Sequence, residues 1–458
     1  MLQYLVKRIL YFIPTLLLIA ITVFFLSKTV GEELQCVNEP IYDEQRCIEE
    51  ATQKGFNKPL FYFAITTAAH PDTLHKIIRE ERRITLKKLI GQHGNWEPIQ
   101  RYYQQIGSID KALFTSNKRS EALIKMRTSI KDLYVIYKAA PMEAKLDRLW
   151  TASQDSSALE FQPLVQILKD HYQSMNTQAT PNALLIPQIN WYGRDNQFHS
   201  WFSNFIRGEW GQSNRDRRQV IDKIAVRLPW TLAITIPAIF LAYILSIPIG
   251  VYTAVKKNSK FDQRLSTFLL LIYSLPLFWI GTMAVMFFTT PEYGMKIFPS
   301  IWLESLSSDT SILSQIGSNF TRLILPIICM TYGSLAFISR QLRSSMIETL
   351  QQNYIQTARA KGLTESKVIW KHAFRNALFP LITIFANVLP AAFAGSLIVE
   401  YIFNIQGMGY LLFTSIKHSD WQVVYVIIMI SAILTIIGIL LADMLYALVD
   451  PRVRFKKS

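Results

Sequence analysis

Six stretches of this chain lack Lys, Arg, Asp and Glu altogether: residues 9–27, 230–255, 265–290, 323–339, 376–399 and 421–442. At about 1.5 Å rise per residue each crosses, or nearly crosses, a hydrocarbon core of roughly 30 Å, the fourth being the shortest. Six charge-free runs of this length exclude a large soluble protein with buried helices. The absence of acid from all six also argues against an ion-coupled carrier, which needs ionisable groups at depth. Other absences narrow the chemistry. No G-x-x-x-x-G-K-[ST] loop is present, which excludes ATP binding by that route. No H-E-x-x-H pair or G-x-S-x-G elbow occurs either, so neither a zinc protease nor a serine hydrolase site is written here. His70 and His75 flank Asp72, but five-residue spacing on a solvated helix is poor ligand geometry without a third group, and no metal site is expected.

What is present is apolar mass and positive charge: half the residues are hydrophobic and the formal net charge is +15. The expected fold class is an all-α integral membrane protein with six transmembrane helices and a soluble helical portion. Run one is too long for a signal core and residues 27–31 lack a small-x-small cleavage site, so it reads as a retained helix. Lys7 and Arg8 precede it; Lys256, Lys257, Lys260 and Arg264 separate runs two and three. Arg340, Arg343, Arg359, Lys361, Lys367, Lys371 and Arg375 separate runs four and five, and Arg452, Arg454, Lys456 and Lys457 close the chain. The alternate short loops are almost free of Lys and Arg, so the positive-inside bias puts both termini in the cytoplasm. These loops and the anionic lipid of the cytoplasmic leaflet account for the net charge without nucleic acid.

The chain divides into a first span (1–30), an extracytoplasmic region (31–229) and a five-span remainder (230–458). Residues 31–229 are rich in Lys and Arg, but domains of this length translocate regardless of charge. Within them, from about residue 71 to 185, apolar residues recur at three and four spacing. Leu74, Ile77, Ile78, Ile84, Leu86 and Leu89 form one such series, and Leu123, Met126, Ile130, Leu133, Ile136 and Tyr137 another. Helices are expected over 73–89, 120–138 and 158–172, enough for a separate small core. The segment 191–210 carries Trp191, Tyr192, Phe198, Trp201, Phe202, Phe205 and Trp210, a composition suited to the outer membrane interface. Cys36 and Cys47 share the external region, where an oxidising compartment allows a disulfide; Cys329 lies in run four and reads as a small apolar residue.

The densest signal lies between runs four and five, at about residues 340–376. Residues 339–352 extend the fourth helix, and 354–361 form another that ends at Gly362, whose lack of a Cβ permits a left-handed reversal. Thr364 is placed to cap the next helix, with Glu365 in its first turn. Tyr354 and Ala358 share a face that Gly362 continues, and the small residues there leave room for another protein's surface. Arg359, Lys361 and Lys367 surround it with charge. Polar residues inside the runs, Ser274, Thr331, Ser334, Thr383 and Asn387, are candidates for a translocation path. Pro237, Pro248, Pro276, Pro326 and Pro390 are expected to interrupt spans two to five. Asp443 and Asp450 stand at the end of run six, beside Arg452 and Arg454, where pairing at the helix end is expected rather than proton relay.

The run 354–380 resembles the coupling loop of permease subunits of ATP-driven dipeptide, oligopeptide and nickel importers, the B-type subunit in particular. Residues 1–25, 227–232, 247–251, 274–279, 399–409 and 443–452 resemble further segments of that family in the same order, about two thirds of the chain in all. The resemblance implies a bacterial inner-membrane permease in which Tyr354, Ala358, Arg359, Lys361, Gly362 and Leu363 couple to the ATPase. It implies an external gate loop carrying Phe403, Gly407 and Gly409. The implied partners are a second permease subunit, two ATPase subunits and an extracytoplasmic substrate-binding protein, the cargo being a peptide, nickel or another small solute. This chain would bind no cofactor; ATP and magnesium belong to the ATPases. The family lacks the segment at about 71–185, which reads as an inserted domain. A membrane receptor that senses through the external helices is the alternative from a different class.

Overall fold

The computed structural model describes residues 2–30, 44–71, 73–77, 79–116, 120–292, 294–299 and 311–449. They form two compact units, one of Met1–Gly31 with Glu209–Ser458 and the other of Glu32–Gly208.

The first unit opens with α1 (Leu2–Val30); the elements of the second are α2 (Glu44–Gln53), β1 (Phe63–Thr67), α3 (Glu80–His93), α4 (Trp96–Thr115), α5 (Glu121–Leu133), α6 (Ala139–Ser153), α7 (Gln162–Thr177), β2 (Pro187–Trp191) and α8 (Gln197–Ile206). Its core is a layer of apolar and aromatic side chains at helical spacing. Ile99, Tyr102, Ile106, Ile109 and Leu113 from α4 meet Leu123, Met126, Ile130 and Leu133 from α5 and Val165 and Leu168 from α7. The second apolar series is therefore a buried helical face from Leu123 to Leu133, where the helix expected over 120–138 stops, and Ile136 and Tyr137 beyond its end are half-buried. In the first, Leu86 and Leu89 are buried but Ile84 is exposed, and the expected helix over 73–89 is a single 3-10 turn followed by α3. Ile78 and Asp72 lie outside the described residues.

Strands β1 and β2 pair antiparallel, with Phe63 opposite Trp191, Ile65 opposite Ile189 and Thr67 opposite Pro187. The helices α3–α7 are thus strung between two neighbouring strands. Part of the aromatic segment packs inward. Phe198 of α8 is buried against Phe61 and Phe202, and Phe205 is buried as well, while Trp191 stays exposed and stacks on Phe63. His70 is held by the Thr67 hydroxyl at 2.9 Å, and His75 lies edge-on to Tyr192.

The first unit continues from α1 with α9 (Val220–Val255), α10 (Lys260–Ser274), α11 (Leu277–Thr289), α12 (Ile312–Ser318), α13 (Phe320–Leu350), α14 (Asn353–Ala360), α15 (Glu365–Lys367), α16 (Phe374–Ala377), α17 (Phe379–Phe385), α18 (Val388–Ala394), α19 (Leu397–Ile402), α20 (Met408–Lys417) and α21 (Trp421–Val449). Among the described residues, five helical segments are long and apolar enough to cross a membrane: Leu10–Lys28, Val220–Val255, Phe320–Leu350, Phe379–Ile402 and Trp421–Tyr446. The pair α10 and α11 makes a sixth if counted as one span, but it is bent by 91°.

The bend is the interruption expected of Pro276, and its cause is local. Pro276 has no N–H to give and pushes Leu275 into extended backbone at ψ 127°. The Leu275 carbonyl is taken up by the Tyr332 hydroxyl at 3.0 Å. The other prolines do less than expected. Helix α9 runs unbroken through Pro229, Pro237 and Pro248, and α13 through Pro326. Span five does break, at Asn387 and Gly395 on either side of the helix that holds Pro390.

The intimate contact of this unit is between α9 and α13, where small residues let the helices close. A Cβ on Gly250 would stand 2.9 Å from Leu342 Cβ and 3.0 Å from the Ser339 carbonyl. Ion pairs tie the helix ends. Asp262, fully enclosed, receives Arg343 through two bonds of 2.7 Å, and Arg8 meets Asp443 at 2.7 Å. Asp443 thus pairs with the first helix; Asp450, Arg452 and Arg454 lie outside the described residues.

Candidate functional site

The corner between α13 and span five is built on a buried row. Ile355, Ala358, Val368, Ala373 and Ala377 pack with Val251 and Ala254 of α9 and with Leu342 and Met346 of α13. Helix α14 closes with the two bonds of a Schellman turn: Gly362 N–H to the Arg359 carbonyl at 2.9 Å and Leu363 N–H to the Ala358 carbonyl at 3.4 Å. Gly362 itself sits at φ +75°, the left-handed conformation expected of it, with open space where a side chain would be. The chain turns there into α15, a π-helical turn at Val368–Ala373, and α16.

Two further contacts fix the corner. Arg359 Nη2 donates to Glu365 Oε1 at 2.6 Å, and Nε donates to both carboxylate oxygens at 3.2 Å. That guanidinium holds the Glu365 carboxyl below its usual range, and the same bond raises the guanidinium. Asn376 Nδ2 donates to the Tyr354 hydroxyl at 2.6 Å, joining the start of the corner to its end. Thr364 makes no side-chain cap; Glu365 is committed to Arg359 instead.

The outward surface is therefore Tyr354, Arg359, Lys361, Gly362 and Leu363, with Thr364, Glu365, Ser366 and Lys367 continuing it, all exposed. Ala358 departs from the sequence expectation: it is only 7% exposed and belongs to the inner row. Its small size serves the contact with this chain's own helices, and the i to i+4 alignment with Tyr354 does not carry it to the surface. Chemically the corner is a rigid polar and basic knob, held from below by apolar packing.

The other sequence candidates are scattered. Ser274, Ser334, Thr383 and Asn387 are exposed. Ser274 returns its hydroxyl to the Leu271 carbonyl, and Thr383 meets the Tyr446 hydroxyl. Thr331 is buried and donates to the Ile327 carbonyl at 2.7 Å and towards the Ala238 carbonyl at 3.3 Å, which ties α13 to α9. Phe403, Gly407 and Gly409 are all buried, Phe403 within the cluster of Trp230, Ile234 and Leu323. They are the packed base of a turn, not its tip. Of the candidate disulfide, Cys47 is buried on α2 and Cys36 lies outside the described residues; Cys329 is a buried free thiol. Sequence reasoning missed Glu400, an acid one residue beyond the fifth charge-free run and enclosed at the base of the same turn. The signal was there: a lone acid at the end of an apolar run, flanked by Gly395, Gly407 and Gly409.

Comparison with known proteins bears on this arrangement. Residues 246–455 match the family described as binding-protein-dependent transport system inner membrane component. The chain is 37% identical over 260 residues to the oligopeptide transport system permease protein AppB of Bacillus subtilis, covering 57% of this chain and 80% of that one. It is 35% identical over 277 residues to the dipeptide transport system permease protein DppB of Escherichia coli K12, covering 57% and 81%. A peptidoglycan transport system permease protein, YejB of Agrobacterium fabrum, is 32% identical over 259 residues, covering 56% and 70%.

Proposed function

The chain belongs to the family of binding-protein-dependent transport system inner membrane components, and we propose that it forms half of a membrane pathway for peptides. As a member it is a multi-pass inner-membrane permease subunit of an importer, a transport subunit and not an enzyme. The proposal carries the peptide class from the similar permeases and the mechanism from the corner at Gly362. Two ATPase subunits grip that corner here and its counterpart on a second permease. ATP with magnesium, bound on those partners, draws them together and turns the pathway outward to a loaded binding protein; hydrolysis resets it. Both termini and the corner lie in the cytoplasm, on the side richest in Lys and Arg.

The observation that carries this reading is the corner itself, whose polar surface from Arg359 to Lys367 is fully outward while its apolar row is anchored on α9 and α13. A docked ATPase that moves it moves the two longest helices of the unit with it. The test is affinity purification of the intact chain in mild detergent from its own cells. ATPase subunits and a second permease come with it if the reading holds; a chain recovered alone sinks it and advances the receptor alternative.

We propose further that α3–α7 are an insertion in the external region, with a role separate from coupling. The strands show how it would be removed. The Ala68 N–H bonds the Ile186 carbonyl at 2.9 Å, so residues 68 and 186 face each other as the last rung of the ribbon. Replacing 69–185 by Asn-Gly closes that rung with a two-residue hairpin turn. The shortened chain is expected to reach the membrane and retain its ATPases within about twofold of wild type, an energy change under about 0.5 kcal/mol. Loss of the ATPases on this deletion would make the helical unit part of the coupling machinery.

A further inference from the structure

Glu400 is a carboxylate with no exposed surface, and among the described residues it has no ion-pair partner. It is held by neutral donors from two other elements. Glu400 Oε1 accepts from the Thr231 hydroxyl of α9 at 2.9 Å, and Oε2 accepts from Tyr410 N–H in the first turn of α20 at 2.9 Å. Thr231 Oγ1 in turn accepts from Met408 N–H at 2.7 Å. The Ile405 N–H returns to the Glu400 carbonyl at 2.8 Å, so the turn after α19 is closed on the same residue.

The surroundings are cut to fit this carboxylate. A Cβ on Gly407 would lie 2.6 Å from Glu400 Oε2, and one on Gly395 would run into Oε1. A Cβ on Gly409 would lie 2.7 Å from the Leu397 amide of α19. Burying a carboxylate without a cation is costly, and packing alone would be served better by an apolar side chain of similar volume. The position of a charged acceptor here is a matter of direction: one side chain joins α9, α19 and α20 at a single point.

We propose that Glu400 is a positioning residue for transport, which holds the outer turn at 403–409 in register with the second span so that α9, α19 and α20 move as one body when the pathway opens. This rests on the importer reading given above. Glu400 is fully enclosed and so offers no surface to cargo. It therefore governs the rate of the step after delivery, whereas the half-saturating peptide concentration is set by the separate binding protein.

The experiment is uptake of radiolabelled trialanine by cells that express the full chain with its partners in place of the chromosomal copy. Glu400→Ala is expected to lower Vmax about tenfold or more with KM within about twofold, the signature of an interaction used after binding. Glu400→Gln keeps the volume, an acceptor for Tyr410 N–H and a group able to bond Thr231, and should restore Vmax to within about threefold. Thr231→Val, which removes only the hydroxyl from the joint, should lower Vmax in the same direction. The amount of chain in the membrane and the ATPases recovered with it are measured in every strain. Unchanged Vmax in Glu400→Ala overturns the proposal. So does a loss that follows the amount of chain in the membrane with Glu400→Gln no better than Glu400→Ala, for then the residue serves folding alone. A wild-type chain that neither supports uptake nor retains an ATPase fails at the importer reading itself, and the proposal falls with it.

Discussion

Gly362→Trp is expected to cut the ATPase recovered with the purified chain by at least about tenfold, equivalent to 1.4 kcal/mol of lost docking energy. The chain itself should remain folded. Two features separate those outcomes. The backbone at Gly362 is left-handed, at φ +75°, so a bulky residue adds about 1–2 kcal/mol of strain there. No atom of the described residues lies within 4 Å of the position a Cβ would take, so the new side chain starts into open space. The position belongs to the surface that Tyr354, Arg359, Lys361 and Leu363, all exposed, turn outward. The buried row beneath, Ile355, Ala358 and Val368, is untouched. A useful control is Gly317→Trp, at another glycine with open space around it and no left-handed backbone, where the ATPases should be retained. Equal loss from both variants would mean that tryptophan disturbs the membrane unit in general and that the corner is not where the partner sits. A fall in the yield of monodisperse chain from Gly362→Trp would point the same way.

Much of this architecture is written locally. A charge-free run of membrane length needs no partner to be read, which is why all six runs reappear in helices. The reversal at Gly362 was legible for the same reason: glycine after a helical period is a statement about one backbone torsion. Direction is harder. Tyr354 and Ala358 share a face by periodicity, yet which residues of α14 turn inward is decided by α9 and α13, about a hundred and about ten residues earlier in the chain. The prolines make the same point. Composition marks Pro248 and Pro276 alike, but α9 runs on through the first while at the second the Tyr332 hydroxyl takes up the Leu275 carbonyl beside the break. Helix α4 is a different kind of miss. Its apolar positions, Ile99, Tyr102, Ile106, Ile109 and Leu113, repeat as clearly as those of α5, and the pattern alone would have found it. Glu400 was legible as a lone acid at the end of an apolar run, but its role was not, because its two anchors belong to α9 and α20 and nothing in the spacing of residues 396–400 announces Thr231.

The joint around Glu400 also gives the largest expected effect on stability. Gly395→Val should lower the folded chain recovered in mild detergent at least about tenfold, because its conformation at φ +70° and ψ −177° is open essentially to glycine alone. Strain of about 1–3 kcal/mol is the smaller part of the cost. The new Cβ would also overlap Glu400 Oε1 and press to 3.0 Å from the Thr231 methyl group. The carboxylate has nowhere to retreat, since Gly407 bounds it on the other side and Tyr410 N–H holds it in place. It must give up the Thr231 or the Tyr410 bond while still enclosed, and a buried polar group left unpaired costs about 1–3 kcal/mol, more when charged. Together these losses, roughly 2–6 kcal/mol, reach the lower end of the about 5–15 kcal/mol that holds a typical protein folded. Fluorescence-detected size-exclusion of the tagged chain measures the outcome directly. Gly333→Ala, in the middle of α13 with no atom within 4 Å of its Cβ, should leave recovery unchanged or improve it, as alanine favours a helix over glycine by about 1 kcal/mol. Full recovery of Gly395→Val would mean that the α18–α19 joint yields without penalty, and that Glu400 is not held as rigidly as its two bonds and two bounding glycines require.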